Sequence, residues 1–259
     1  MWDKGKRFLF QKVLLSVVAA ICLFPFIFLI IRAFLLDGFS LRQFESVLLY
    51  DWRFYVWFWN SLGYTVAILA IHIPVSVLAA YGFSQFDFPG KRFLFFLYIL
   101  LMLLPFQATV LPQYLILNRF GMLDTRWAVV LPNGFNAFGV FFLTQFMKGI
   151  EPGILEASKL DGAGQWAVLT QIILPLCRPA VIALIVLQTF TGWALMDQPL
   201  LFLRREEILP LSLELGSDVF GENVFAAGLI FAIPPVLVYR YCRDSLVKGL
   251  QLSGIRQEG

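Results

Sequence analysis

Residues able to do chemistry are sparse in this sequence, and their positions say more than their number. The amides Gln107, Asn133, Asn136 and Gln188 and the indole of Trp193 lie inside long apolar runs. That mixture suits a sugar, because aromatic faces meet C–H surfaces and amides meet hydroxyls. The same groups can equally hydrogen-bond between helices. A second set stands in one polar stretch, EASKLDGAGQWAVLTQIILP (156–175). Its carboxylate Glu156, its small residues Ala157 and Ser158 and its turn at Asp161-Gly162 offer a thin, charged knob for a partner's groove, or an ordinary solvated loop. No catalytic constellation accompanies either set. Gly90-Lys91 lacks both the glycine five residues earlier and the following Ser or Thr of a nucleotide-binding P-loop. There is no Gly-x-Ser-x-Gly elbow, and the only histidine is His72. Cys22, Cys177 and Cys242 stand in separate apolar stretches, so no Cys/His metal site can be assembled.

The elements that must carry these residues follow from composition. Of 259 residues, 59% are hydrophobic and only 14% charged. A soluble domain is nearer half apolar and a quarter charged, so part of the solvent here must be lipid. A net charge of +3, with its basic residues dispersed, argues against nucleic acid. Apolar runs near 9–33, 58–82, 93–117, 127–147, 176–200 and 223–247 each have the length of a membrane-spanning helix. The first follows basic residues but is too long for a signal peptide and has no small-x-small cleavage site, so it reads as a retained span. With the N-terminus inside, thirteen of the 20 basic residues, including every lysine, fall in inner segments. This asymmetry puts both termini in the cytoplasm. Tyr50, Trp52, Tyr55, Trp57 and Trp59 then form an aromatic belt at the outer surface.

In that frame residues 148–178 are the long cytoplasmic loop between the fourth and fifth spans. Pro152 opens a first short helix, Asp161-Gly162 breaks it, and Asp161 can cap a second beginning near Ala163. Along straight helices, Gln107 stands 15 residues beyond Arg92, Asn136 12 residues before Lys148 and Trp193 14 beyond Pro179. Each count gives a depth of roughly 18–23 Å, a single polar layer. Pro105 and Pro112 should kink the third span, and Pro234-Pro235 the sixth.

The polar stretch resembles the EAA motif of binding-protein-dependent ABC importer permeases: Glu-Ala-Ala, three residues, Gly, nine residues, Ile, any residue, Leu-Pro. Glu156-Ala157-Ser158, Gly162, Ile172 and Leu174-Pro175 fit every spacing, with Ser158 for alanine. The stretch from Asn60-Ser61 to Lys91-Arg92, IEPGILEASKLDG (150–162), GWALMDQPLLFL (192–203) and the tail VKGLQLSGIRQEG (247–259) resemble the same family, specifically the second, maltose-type permease of its carbohydrate-uptake branch. Ala194 after Trp193, Asp197-Gln198 and the tail ending depart from the pattern.

The resemblance implies an all-α, polytopic membrane protein of six transmembrane helices, with a type I importer core and cytoplasmic coupling helices between spans 4 and 5. It implies an N-terminal span and outer loop (1–57), a permease core (58–250) and a cytoplasmic tail (251–259). Glu156, Ala157, Ser158, Asp161 and Gly162 would dock the ATPase. Gln107, Asn133, Asn136, Gln188 and Trp193 are candidates for the substrate path. The chain would bind no cofactor or metal; ATP and magnesium belong to the partner ATPase. Expected partners are a second permease subunit, two ATPase copies, an extracytoplasmic solute-binding protein and membrane lipid, in a bacterial-type inner membrane. A permease for a non-sugar solute is the alternative. An ion-coupled transporter fits less well, since only His72 among ionisable side chains lies deep in a span.

Overall fold

The computed structural model describes the backbone of residues 4–35 and 39–254 and the side chains of residues 11–35, 39–158 and 160–243. The side chains of Lys4, Lys6, Arg7, Lys159, Lys248 and Arg256, all used in the charge argument, lie outside the described residues, as do residues 255–259 of the expected tail.

Among the described residues every regular element is a helix. In chain order the main ones are α1 (Lys4–Phe34), α2 (Trp52–Gln85), α3 (Lys91–Leu103), α4 (Phe106–Arg119), α5 (Trp127–Gly134) and α6 (Ala137–Lys148). They continue with α7 (Pro152–Leu160), α8 (Gln165–Leu176, with π-type turns over Val168–Ile173), α9 (Arg178–Trp193), α10 (Asp197–Phe202) and α11 (Val224–Gly254). Four stretches are long and apolar enough to cross a bilayer, and two bent pairs raise the number to six if each pair is one span. Contacts divide the chain into two units, Met1–Tyr55 with Glu214–Ile233 and Val56–Leu213 with Pro234–Gly259. In the first, the Arg32 guanidinium lies 5.2 Å from the Phe225 ring centre, and Phe54 meets Phe220 edge-on. The second holds the elements discussed below.

The bent pairs correct two of the expected straight spans. The third, expected over 93–117, turns by 105° between α3 and α4. A residue before proline is pushed out of the helical region. Leu104 (ψ 127°) and Pro105 (ψ 149°) are both extended, and the helix restarts at Phe106. The depth assigned to Gln107 by counting along one axis therefore fails. The fifth, expected over 176–200, is a continuous helix only over α9. It is bent by 75° from α8 at Cys177 and ends at Trp193, before a separate α10. Pro179, at the second position of α9, has no N–H to give back to the preceding turn. Pro112 and the Pro234-Pro235 pair, by contrast, sit inside α4 and α11.

The fourth span breaks at Phe135-Asn136, where the Asn136 side chain accepts the Phe138 amide at 2.8 Å and so caps α6. Glycines on both sides of that break bring α2 close. His72 is 1% exposed and its Nδ1 meets the Gly134 carbonyl at 3.3 Å, so the lone histidine bonds between helices. Its Nε2 and the Ser76 hydroxyl both point at Gly139, where an added methyl would come within 2.5 Å of Nε2. Gly139→Ala is therefore expected to cost about 1–3 kcal/mol through overpacking. It should lower the thermal midpoint of the purified protein. Gly82→Ala, with nothing within 4 Å, should not lower it.

Candidate functional site

The polar stretch folds as a short rod seated on a buried core. α7 ends in a left-handed residue, Gly162 (φ 77°), and the Ala163 amide returns to the Ser158 carbonyl at 3.0 Å. This six-to-one bond closes a Schellman cap, for which glycine is the low-strain residue. The next helix begins at Gln165 behind Gly164, without a side-chain cap. Asp161 thus caps nothing, correcting that expectation: the Schellman turn already consumes the backbone groups around it.

One face of the rod is anchored. Leu155 and Ala163 pack on a cluster that includes Val77, Tyr81, Leu143, Met147, Leu169 and Ile173. The Tyr81 hydroxyl donates to the Gln165 carbonyl and side chain at 3.1 and 2.6 Å, tying α2 to α8. Ser158 is buried, and its hydroxyl donates to the Leu155 carbonyl at 2.7 Å. It therefore belongs to the anchored face. Glu156, Ala157, Asp161 and Gly162 are exposed. Glu156 forms no hydrogen bond or ion pair among the described residues. Beside it, Leu160 is 89% and Trp166 69% exposed. Leu160 and Trp166 are not among the candidates drawn from the sequence, although both flank the bend.

The polar groups of the spans differ in exposure. Gln107 is exposed in the first turn of α4, and Asn136 is exposed at the break between α5 and α6. Trp193 is buried edge-on to Phe58, with ring centres 5.5 Å apart. Gln188 is also buried. Asn133 donates to the Val129 carbonyl at 2.8 Å and to the Gln198 side chain, while Gln198 donates to Gln113 Oε1 at 3.3 Å. Three amides from α5, α10 and α4 thus form one chain. Gln113 and Gln198 were not singled out as site residues, because their pairing spans 85 positions.

A second polar assembly pins the connection after α10. Along one face of α2, Trp57 Nε1 donates to the Glu206 carbonyl (3.0 Å), Asn60 Nδ2 to those of Glu207 (2.8 Å) and Leu209 (3.0 Å), and the Tyr64 hydroxyl to that of Ile208 (2.7 Å). The Leu211 amide donates to Ser61 Oγ at 2.9 Å. Trp57, expected in the aromatic belt, is therefore buried, whereas Tyr50, Trp52, Tyr55 and Trp59 are exposed. Opposite α2, Asp124 holds the same connection. It adopts φ 57° and accepts both the Arg204 and Arg205 amides, and its carboxylate pairs with Arg205 Nε at 3.1 Å. The two backbone amides, followed by the Arg205 charge, hold the Asp124 carboxyl below its ordinary value of 3.8.

Comparison with known proteins follows the same outline. A family model described as "Binding-protein-dependent transport system inner membrane component" matches residues 72–251. The arabinooligosaccharides transport system permease protein AraQ of Halalkalibacterium halodurans is 26% identical over 259 aligned residues, covering 92% of this chain and 93% of the relative. A solved bacterial ABC transporter involved in importing the acidic polysaccharide alginate superposes with a TM-score of 0.85 at 22% identity, covering 95% of this chain and 99% of that one. A structure of a bacterial alginate ABC transporter in complex with a periplasmic protein bound to alginate pentasaccharide superposes with a TM-score of 0.73 at 16% identity, covering 95% and 96% of the two chains.

The Asp124 clamp has a signed pH dependence. A carboxyl depressed in the folded state contributes stability above its unfolded value and loses it as pH falls through the folded one. The protection of the Arg204 and Arg205 amides relative to their intrinsic exchange rates should therefore stay high at neutral pH and fall as pH drops below the ordinary carboxylate range. Asp124→Ala should show low protection at every pH. A pH response retained in that variant would assign the effect to another group.

Proposed function

Because the chain belongs to the family of binding-protein-dependent transport system inner membrane components, we propose that it is the sugar-importing permease subunit of an ABC transporter and forms half of the translocation path for an oligosaccharide or sugar derivative. The sugar reading is supported by the similarity, over nearly the whole chain, to an arabinooligosaccharide permease and to the fold of an alginate importer. Six spans cross a bacterial-type inner membrane, each bent pair counting as one, and both termini face the cytoplasm. Residues 1–57 supply the first span and outer loop, 58–250 the permease core and 251–259 the tail. The subunit pairs with a second permease and with two copies of an ATPase that carries the ATP and magnesium. An extracytoplasmic solute-binding protein delivers the sugar.

The observation that carries this reading is the two-sided rod at Pro152–Gly162. Its buried side is keyed into the core, and its open side presents Glu156, Leu160 and, past the bend, Trp166. An ATPase gripping the open side displaces the rod. The displacement reaches α9 through Leu169, Ile173 and Cys177, and α2 through the Tyr81–Gln165 bonds. A close-packed interior transmits such a push because it compresses little. In the path itself, the exposed amides of Gln107 and Asn136 meet sugar hydroxyls. The buried Asn133, Gln188 and Trp193 form the wall behind them.

Variants at the rod separate coupling from folding. Gly162→Val forces a β-branched residue into positive φ, expected to cost about 1–3 kcal/mol. Gly162→Asn tolerates that φ, and its Cβ has nothing within 4 Å. The asparagine variant should therefore fold and assemble normally, and any loss of ATPase binding would come from the bulk placed against the partner. Glu156→Lys should reduce ATPase co-purification and substrate-stimulated hydrolysis more than Glu156→Gln, with membrane insertion unchanged. Normal values of both in Gly162→Val and Glu156→Lys would reduce the rod to a solvated connection.

A further inference from the structure

Where α2 ends, α3 begins and α6 ends, the chain leaves a groove of about 440 Å³ that none of the readings above uses. Three cations line it, Lys91, Arg92 and Lys148, against one carboxylate, Asp87. Lys91 is already committed, to Asp87 at 3.1 Å and to the Phe86 carbonyl at 2.7 Å. Lys148 has its ammonium 4.7 Å from the centre of the Phe95 ring, which itself packs on Phe83, with ring centres 5.4 Å apart. Neither Lys148 nor Arg92 has an anionic partner among the described residues, and both are exposed. The groove therefore has an excess of two positive charges over aromatic walls.

The surface below the cations is apolar in register. Arg92, Phe96, Leu100 and Leu103 follow one another at helical spacing along α3. The last three are 53%, 42% and 69% exposed. A charged head above a continuous apolar stripe, at the common end of three apolar helices, is the shape of an amphiphile lying along a membrane protein. A free phosphate would use the cations and leave the stripe bare. Basic pockets between spans on the cytoplasmic side suit anionic headgroups.

We propose that this groove is a binding site for an anionic membrane phospholipid. The phosphodiester lies between Arg92 and Lys148, and an acyl chain runs over Phe96, Leu100 and Leu103. Lys91, held by Asp87, contributes to the field rather than to the contact. The assignment goes beyond the transport reading. Its test does not depend on which way the groove faces or on coupling to the ATPase, so the two can fail separately.

The test is lipid retention by the full-length subunit, purified with whatever subunits accompany it. The preparation is equilibrated in phosphatidylcholine bilayers containing phosphatidylglycerol, stripped in mild detergent and weighed by native mass spectrometry. The wild type should keep phosphatidylglycerol in preference to phosphatidylcholine. Arg92→Gln and Lys148→Gln should each weaken retention about fivefold, and the double variant roughly 30-fold, while Arg92→Lys keeps it. Leu100→Ser should weaken retention without changing the preference for the anionic lipid. Equal retention of the two lipids by the wild type, or full retention in the double variant, would overturn the proposal. Displacement of the lipid by inorganic phosphate would make this a free-anion site, and loss of an accompanying subunit from the double variant with lipid unchanged would make it a protein contact; either result also overturns it.

Discussion

Four successive carbonyls, from Glu206 to Leu209, accept hydrogen bonds from the side chains of a single face of α2. This is the interaction on which this part of the core depends. The segment has only the single 3-10 turn Glu206–Ile208, and in a chain this apolar an unpaired backbone group cannot count on water. Positions 57, 60, 61 and 64 recur at helical spacing, so about two turns of α2 satisfy the whole segment. Asp124 closes the other side with two amide bonds and an ion pair. The backbone between α10 and Leu211 is thereby held by both α2 and Asp124.

The same accounting explains where the spans break. At Leu104-Pro105 the lost amide and the extended pre-proline residue end α3 outright. At Phe135-Asn136 a side chain supplies the missing acceptor and the axis continues within α5 and α6. At Cys177 the helix bends and restarts behind Pro179. In each case a residue that cannot donate, or one that offers a substitute acceptor, decides between stopping and resuming. Pro112, Pro234 and Pro235 sit inside longer apolar helices and leave them unbroken.

Much of this is legible before any coordinates. The all-helical architecture follows from long apolar runs. The bend at Gly162 follows from glycine after a run of helix formers, and the family follows from the spacing between Glu156 and Pro175. What escaped reading is whatever depends on distant partners. Proline at 105 signals a perturbation, but a 105° turn rather than a kink is set by what α3 and α4 pack against. Trp57 reads as interfacial because its acceptor lies 149 residues away. Ser158 reads as part of a docking surface, but its phase on α7 turns it toward the buried side that Leu155 anchors. Gln198 reads as a mere departure because its partners sit on two other helices.

The bonds between α2 and the 206–211 segment also impose an order in time. Their two sides are separated by 144–150 residues of chain. At ribosomal rates of about 5–20 residues per second, α2 is made roughly 7–30 s before its acceptors exist. Through that interval Trp57, Asn60, Ser61 and Tyr64 must be satisfied by interfacial water, by lipid headgroups or by the insertion machinery. Those side chains leave that state only when the 206–211 segment has been laid down.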